Sequence, residues 1–277
     1  MNEKALRTLE YHKIIDLLVR HANCEAAKQR CKKLTPMTSL ADIETAQRQT
    51  ADALSRIFKK GSLSFLGVHD VTASMKRLEI GAALSIEELL HLASLLEVAK
   101  RAKAYSRNDR TEEAETSDSL DEFFDAIEPL TPLLEEIRRC IISSDEISDD
   151  ASSTLKHIRR AMKQTNQKIH TQLTTLVSSA SNQDKLQDAI VTMRNGRYCI
   201  PVKQEYRSSF QGMIHDQSAS GNTLFIEPMS VVTLNNELKE LEGKEQSEIE
   251  HILSILSEQA SYGVCLLYTS PSPRDGL

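Results

Sequence analysis

Four basic side chains, Arg194, Arg197, Lys203 and Arg207, fall in one short stretch of this chain, and a turn of small polar residues, Asp216-Gln-Ser218-Ala-Ser220-Gly221, follows it. Arginine and lysine in that density are phosphate-seeking chemistry, because a cation that neutralises a phosphate releases the counterions condensed on it. Arg194 and Arg197 bracket Asn195-Gly196, the strongest short-range signal for a hairpin turn, which places them at or near an exposed tip. The hydroxyls of Ser218, Ser220 and Thr223, with Gly221, could also offer donors to a phosphate. The competing reading is that Asp216 and the serines satisfy the backbone of their own turn, as such residues commonly do.

His215, Asp216 and Ser218 invite a catalytic interpretation that their spacing does not support. Adjacent residues on a strand point to opposite faces, so neighbours in sequence form no relay by spacing alone. The chain has no glycine-elbow serine, no HExxH pair and no paired-carboxylate pattern. Its five cysteines, Cys24, Cys31, Cys140, Cys199 and Cys265, lack CxxC or zinc-ligand spacing and read as reduced, mostly buried thiols. No catalytic or metal-binding residue is assigned on these grounds.

The basic residues need elements to hold them. Strand signals at 189–193 and 198–202 flank the Asn-Gly turn, and a second pair at 212–215 and 223–226 surrounds the serine turn. This β insert lies between two long helical patterns. On the outgoing one, Leu155, Ile158, Met162, Ile169, Leu173, Leu176 and Val177 follow three-and-four spacing, with Lys156, Arg159, Arg160, Lys163 and Lys168 on other faces. On the returning one, Leu234, Leu238, Leu241, Ile249, Ile252, Leu253 and Leu256 form a comparable stripe. Two such stripes suit an antiparallel arm, and a helix of about thirty to thirty-five residues would span about 50 Å. Such an arm would hold the insert away from the N-terminal part of the chain.

Charge is strongly segregated. Residues 110–150 carry 14 acidic and 3 basic side chains, whereas 151–210 carry 10 basic and 3 acidic ones, beneath an overall formal charge of −6. The basic block reads either as a nucleic-acid or ribosome contact or as a solvated face neutralised by the acidic segment. The stretch Arg107 to Asp121 is polar enough to be a mobile loop.

The first part of the chain reads as a run of helices. Leu6, Leu9, Ile14, Leu17 and Leu18 mark an opening helix, and a second short one ends near Pro36. Ser39 can cap a helix with inward Ile43, Ala46, Leu54, Ile57 and Phe58, closed by Gly61. Ser85 and Glu88 make a capping box before Leu89, Leu92, Ala93, Leu96 and Ala99, and Thr131-Pro132 opens another helix. Aromatic content is 4% with no Trp, which favours helical packing, and no apolar run is long enough for a bilayer span. Met1 leads into a charged helix rather than a signal peptide, so a soluble, cytoplasmic protein without membrane partners is expected. The segment 265–277 breaks the helical pattern and reads as an in-frame sequencing-adapter translation, which would make the chain an N-terminal fragment. The expected fold class is mainly α. Its parts are a helical core at 1–146, an outgoing lever helix at 147–187, a clamp-like β-hairpin insert at 188–228 and a returning lever helix at 229–264.

Taken together, several motifs carry a family resemblance. Arg194-Asn-Gly-Arg-Tyr-Cys-Ile-Pro-Val-Lys203, His215-Asp-Gln-Ser-Ala-Ser-Gly221, Thr223-Leu-Phe-Ile-Glu-Pro228 and Leu234-Asn-Asn236 resemble the lever region of the second bacterial MutS paralogue family, whose members carry a C-terminal Smr domain. Lys4-Ala-Leu-Arg-Thr-Leu-Glu10, Arg77-Leu-Glu-Ile-Gly81 and Leu84-Ser-Ile-Glu-Glu88 are similar to its opening helices and early loop, so the likeness runs from about residue 1 to 260. The resemblance implies a MutS-like core and lever around a clamp-like insert, followed by a dimerising ABC-type ATPase domain, without the mismatch-reading domain. It implies an ATP- and Mg-dependent, homodimeric, DNA-binding endonuclease that suppresses homologous recombination and senses and splits collided ribosomes. No GxxxxGK[ST] loop occurs here, so the fragment itself is expected to bind no nucleotide and to act as an arm contacting DNA or ribosomal RNA. The alternative is a purely structural lever, with partner contact confined to the ATPase and Smr parts.

Overall fold

A computed structural model of the chain describes residues 3–107 and 118–268. Most of the polar stretch expected to be a loop, and the tail from 269 onward, lie outside the described residues. The fold is mainly α with a small antiparallel β insert, in two compact units. One comprises Met1–Ser148 with Leu253–Leu277, and the other Asp149–Ile252.

The first unit is built from α1 (Glu3–Thr8), α2 (Tyr11–His21), α3 (Glu25–Lys32), α4 (Leu40–Lys60), α5 (Thr72–Glu79), α6 (Ile86–Arg107), α7 (Asp121–Asp125) and α8 (Thr131–Cys140). Local chemistry explains several of their ends. The capping box forms as expected: Ser85 N donates to Glu88 Oε2 at 2.8 Å, and Glu88 N donates to Ser85 Oγ at 3.3 Å. Gly61 ends α4 at a φ of 81°, which a residue with a Cβ adopts only under strain. The opening pattern is broken where Glu10 takes a left-handed φ of 53°, so two helices stand where one was expected. Leu89, Leu92, Ala93 and Leu96 of α6 are fully buried, joined by Met75, Leu78, Leu133, Leu134 and Ile137. A short hairpin that the sequence reading missed, β1 (Ile141–Ser143) with β2 (Glu146–Ile147), follows α8.

The amphipathic stripes on α2 and α4 do not become core. Ile14, Leu17, Leu18, Leu54, Ile57 and Phe58 are exposed, Phe58 to 81%. Periodicity marks a face but does not supply the element that covers it. What α4 does bury is Arg56, which donates to Asp118 and Asp121 and lies 4.9 Å from the ring centre of Phe124.

In the second unit, α9 (Ser153–Ser178) is followed by α10 (Ala180–Gln183), then β3 (Thr192–Arg194), β4 (Arg197–Lys203), β5 (Gly212–Gln217) and β6 (Thr223–Pro228). Met229–Tyr268 forms α11, whose last stretch from Leu253 belongs to the first unit. Ser152 caps α9 by accepting from Leu155 N at 2.9 Å, and Ser179 ends it in an extended conformation. At 26 residues α9 spans about 39 Å, shorter than expected. Its pairing with α11 is antiparallel: Ser152 meets Glu248, Arg159 meets Glu245 and Thr165 meets Glu237, one numbering rising as the other falls.

The sheet is antiparallel in the order β3-β4-β6-β5. Ile200 pairs with Ile226 and Val202 with Leu224, which puts four buried side chains on one face. They form one core with Ile169, Leu173 and Val177 of α9 and Val231 and Leu238 of α11. The insert is therefore seated on both helices of its unit by apolar packing.

Candidate functional site

The other face of the sheet carries the polar residues, and Glu227 is its centre. Its side chain has no exposure, yet it meets three partners: Arg197 Nη1 at 2.8 Å, His215 Nε2 at 2.6 Å and Asn235 Nδ2 at 2.8 Å. A buried carboxylate is tolerable only when paired and hydrogen-bonded, and here β4, β5 and α11 each supply a group. Arg197 Nη2 also donates to Asn236 Oδ1 at 2.6 Å, while Asn235 brackets the Tyr198 backbone, accepting from its N–H and donating to its carbonyl, both at 3.2 Å. Leu-Asn-Asn236 at the start of α11 thus ties that helix to the sheet.

Asn195 and Gly196 turn the β3–β4 hairpin with φ of 51° and 72°, the left-handed pair that an Asn-Gly turn needs. The tip does not project freely. Asn195 Nδ2 donates to the His215 carbonyl at 2.9 Å, and Arg194 lies with its guanidinium 4.0 Å from the Phe225 ring centre and 3.3 Å from Asp216. The turn is exposed at Asn195 and Gly196, as expected, but its two arginines are folded back against β5 and β6, where Glu227, Asp216 and Phe225 partner them. Beneath it Cys199 is fully buried, and its thiol is pushed up to about 11 by burial and by the Glu227 carboxylate, against the opposing pull of Arg194 and Arg197.

The remaining sequence-derived positions are scattered. Lys203 Nζ donates to the Asp184 carbonyl at 2.8 Å, and Arg207 Nη1 to the Phe210 carbonyl at 3.2 Å. The serine turn closes on itself: Thr223 N donates to Ser218 Oγ, Gln217 N to Asp216 Oδ1, and exposed Ser220 meets Ser218 at 3.4 Å. His215 is directed to Glu227 and Asp216 to Arg194, so no Ser-His-Asp relay is assembled. Among the described residues no group of three or more His, Cys, Asp or Glu gathers as a metal site.

Comparison with known proteins adds the decisive observation. No family model matches the chain. Curated relatives named Endonuclease MutS2 do: the protein of Lachnoclostridium phytofermentans is 55% identical over 261 residues, covering 93% of this chain and 33% of the relative. That of Agathobacter rectalis is 52% identical over 267 residues, covering 96% and 34%. That of Clostridioides difficile is 43% identical over 257 residues, covering 93% and 32%.

The chain belongs to the MutS2 family.

It spans about a third of the length of the MutS2 relatives it matches. Within that third, the basic face of α9 divides in two. Lys156 Nζ pairs with Asp150 at 2.7 Å, and Arg159 bridges Asp149 at 2.6 Å and Glu245 at 2.7 Å. Arg160, Lys163 and Lys168 are exposed and take part in no ion pair among the described residues. Glu227 entered the sequence reading only within the resemblance motif and was assigned no role, since an acidic residue ending a strand carries no signal of burial. The Asn235-Asn236 pair was noticed, but only as part of the resemblance. Among the described residues, no helix of this MutS2 chain is long and apolar enough to cross a membrane.

Proposed function

We propose that this part of a MutS2 protein contacts a phosphate polymer, DNA or ribosomal RNA, through the exposed face of α9, with the β insert as a rigid fixture on the same helical pair. The observation that carries the reading is the one just described: Arg160 and Lys163 are exposed and have no ion pair among the described residues, whereas Lys156 and Arg159 are internally matched. Unpaired cations on a regular helix suit a backbone with repeating charge, and phosphate contacts give affinity without reading sequence.

In the complete protein the arm would transmit ATP-driven, Mg-dependent closure of a homodimer to that contact, in endonucleolytic DNA processing that restrains recombination or in the splitting of collided ribosomes. The residues present here do not fit a nucleotide. Gly243-Lys244 lies inside α11, where the backbone N–H groups are committed to the helix rather than free to cradle a phosphate.

A second reading, the purely structural lever, is favoured by the internal pairing of Arg194, Arg197, Lys156 and Arg159. Titration of the chain against branched DNA, linear duplex and purified ribosomes at two salt concentrations separates the two. The contact reading expects salt-sensitive binding that R160E/K163E weakens uniformly across sequences, lowering the duplex salt slope by about 2. Absence of binding by demonstrably folded protein supports the lever.

A further inference from the structure

Arg194 and Arg197 flank one turn, yet they are held in opposite ways. Arg197 serves a carboxylate with no exposure, and withdrawing it would strand that buried charge. Arg194 instead faces Asp216 at 3.3 Å, in a pair whose side chains are 38% and 49% exposed. Each can take up water if the pair opens, and exposed pairs of this kind are weak. Two further contacts hold the Arg194 guanidinium in place whether or not Asp216 is there: the Phe225 ring 4.0 Å away and the Met193 carbonyl, which accepts from Nη1 at 2.9 Å. Asp216 is anchored through one oxygen only, its Oδ1 accepting from Gln217 N at 2.8 Å, while Oδ2 faces Arg194.

A planar guanidinium recognises carboxylate and phosphate by the same fork of donors. We propose that Asp216 is an internal competitor, its carboxylate occupying on Arg194 the place that a backbone phosphate of a nucleic acid takes when it binds. The hairpin tip is then self-neutralised in the free protein, and Arg194 is a pre-positioned phosphate ligand that acts once Asp216 is displaced. Arg197, locked to Glu227, keeps its structural role throughout. This rests on the nucleic-acid reading above but assigns a separate site, on the insert rather than on α9.

The test uses the full chain and a labelled DNA duplex at low and moderate salt. D216N keeps the shape of the side chain and removes its charge, so it is expected to bind the duplex about two- to fivefold more tightly than the parent, the range an exposed pair supports. The gain should vanish in R194A/D216N, and D188N, which removes one exposed acidic charge elsewhere, should not reproduce it. Equal urea midpoints for the parent and D216N would show that folding is not the cause.

An unchanged affinity in D216N, or a gain that survives R194A or appears equally in D188N, overturns the proposal. If R160E/K163E leaves affinity unaltered while D216N raises it through Arg194, the α9 reading fails and the internal competitor stands. The reverse pattern removes the competitor and keeps α9. If neither the parent nor D216N binds the duplex, the competitor proposal falls, and the α9 reading falls with it if branched DNA and ribosomes are not bound either.

Discussion

Arg197 donates from Nη1 to Glu227 Oε1 at 2.8 Å, and the carboxylate it meets has no exposure. His215 and Asn235 complete the set, so one side chain joins β4, β5, β6 and the first turns of α11. Such a residue is worth most as a joint. Removing one partner of a buried charge pair typically costs about 3–5 kcal/mol because the other is left uncompensated. Glu227→Ala is therefore expected to lower unfolding free energy by about that amount, with Glu227→Gln intermediate. Urea titration of the chain measures it. A loss below about 1 kcal/mol, the range of exposed pairs, would mean that Glu227 is not the joint.

Two glycines should respond in opposite directions. A Cβ built on Gly212 would lie 2.1 Å from the Glu227 carbonyl oxygen, and that backbone is the partner strand itself. Gly212→Ala must therefore separate β5 from β6, at about 1–3 kcal/mol or more. Gly243 lies inside α11 with nothing within 4 Å of the added carbon, so Gly243→Ala should stabilise by about 0.5–1 kcal/mol through helix propensity alone. Parallel denaturation of the two variants checks both signs.

The residues that spoke most clearly in the sequence were those whose structure is local. Asn195-Gly196 signals its turn because few residues accept left-handed φ, and Ser85 with Glu88 signals a helix start because each satisfies the other's backbone. The pairing of α9 with α11 was also legible, since both stripes persist over many turns. What failed was anything requiring knowledge of the other side of a contact. Phe58 and Ile57 announce a buried face and are exposed, while Glu227 looks like surface and is fully buried. Arg194 and Arg197 read as a solvent-facing tip because the carboxylates that fold it back lie some twenty to thirty residues away in sequence.

Acid should loosen the anchor between α4 and the start of α7. The Asp118 carboxyl is held below the usual carboxylate range chiefly by the Arg56 guanidinium, with burial opposing and the Leu120 N–H assisting. A carboxyl whose folded pKa is depressed contributes stability in full above its unfolded pKa, about 3.9, and loses it as pH falls through the lower folded value. The stability difference between parent and Asp118→Asn should thus be constant from pH 7 to about 5 and shrink below about 4. Denaturation midpoints at pH 7, 5, 4 and 3 provide the measurement. A difference that grows on acidification would contradict the assignment.

The closure of the hairpin tip can be followed through a thiol. Cys199 is buried and pushed up to about 11, so at pH 8 only about one molecule in a thousand carries the reactive thiolate. Burial likewise raises Cys140, the nearby Glu136 carboxylate adding to it, whereas Cys24 and Cys31 are only half-buried. Alkylation of the native chain, read residue by residue by mass spectrometry, should modify Cys24 and Cys31 and spare Cys140 and Cys199. Glu227→Ala should then speed modification of Cys199 while leaving Cys140 protected, because it removes both the neighbouring negative charge and the group that holds Arg197 over the strand. Modification of Cys199 in the parent as fast as that of Cys24 and Cys31, with Cys140 still spared, would show that the tip is open.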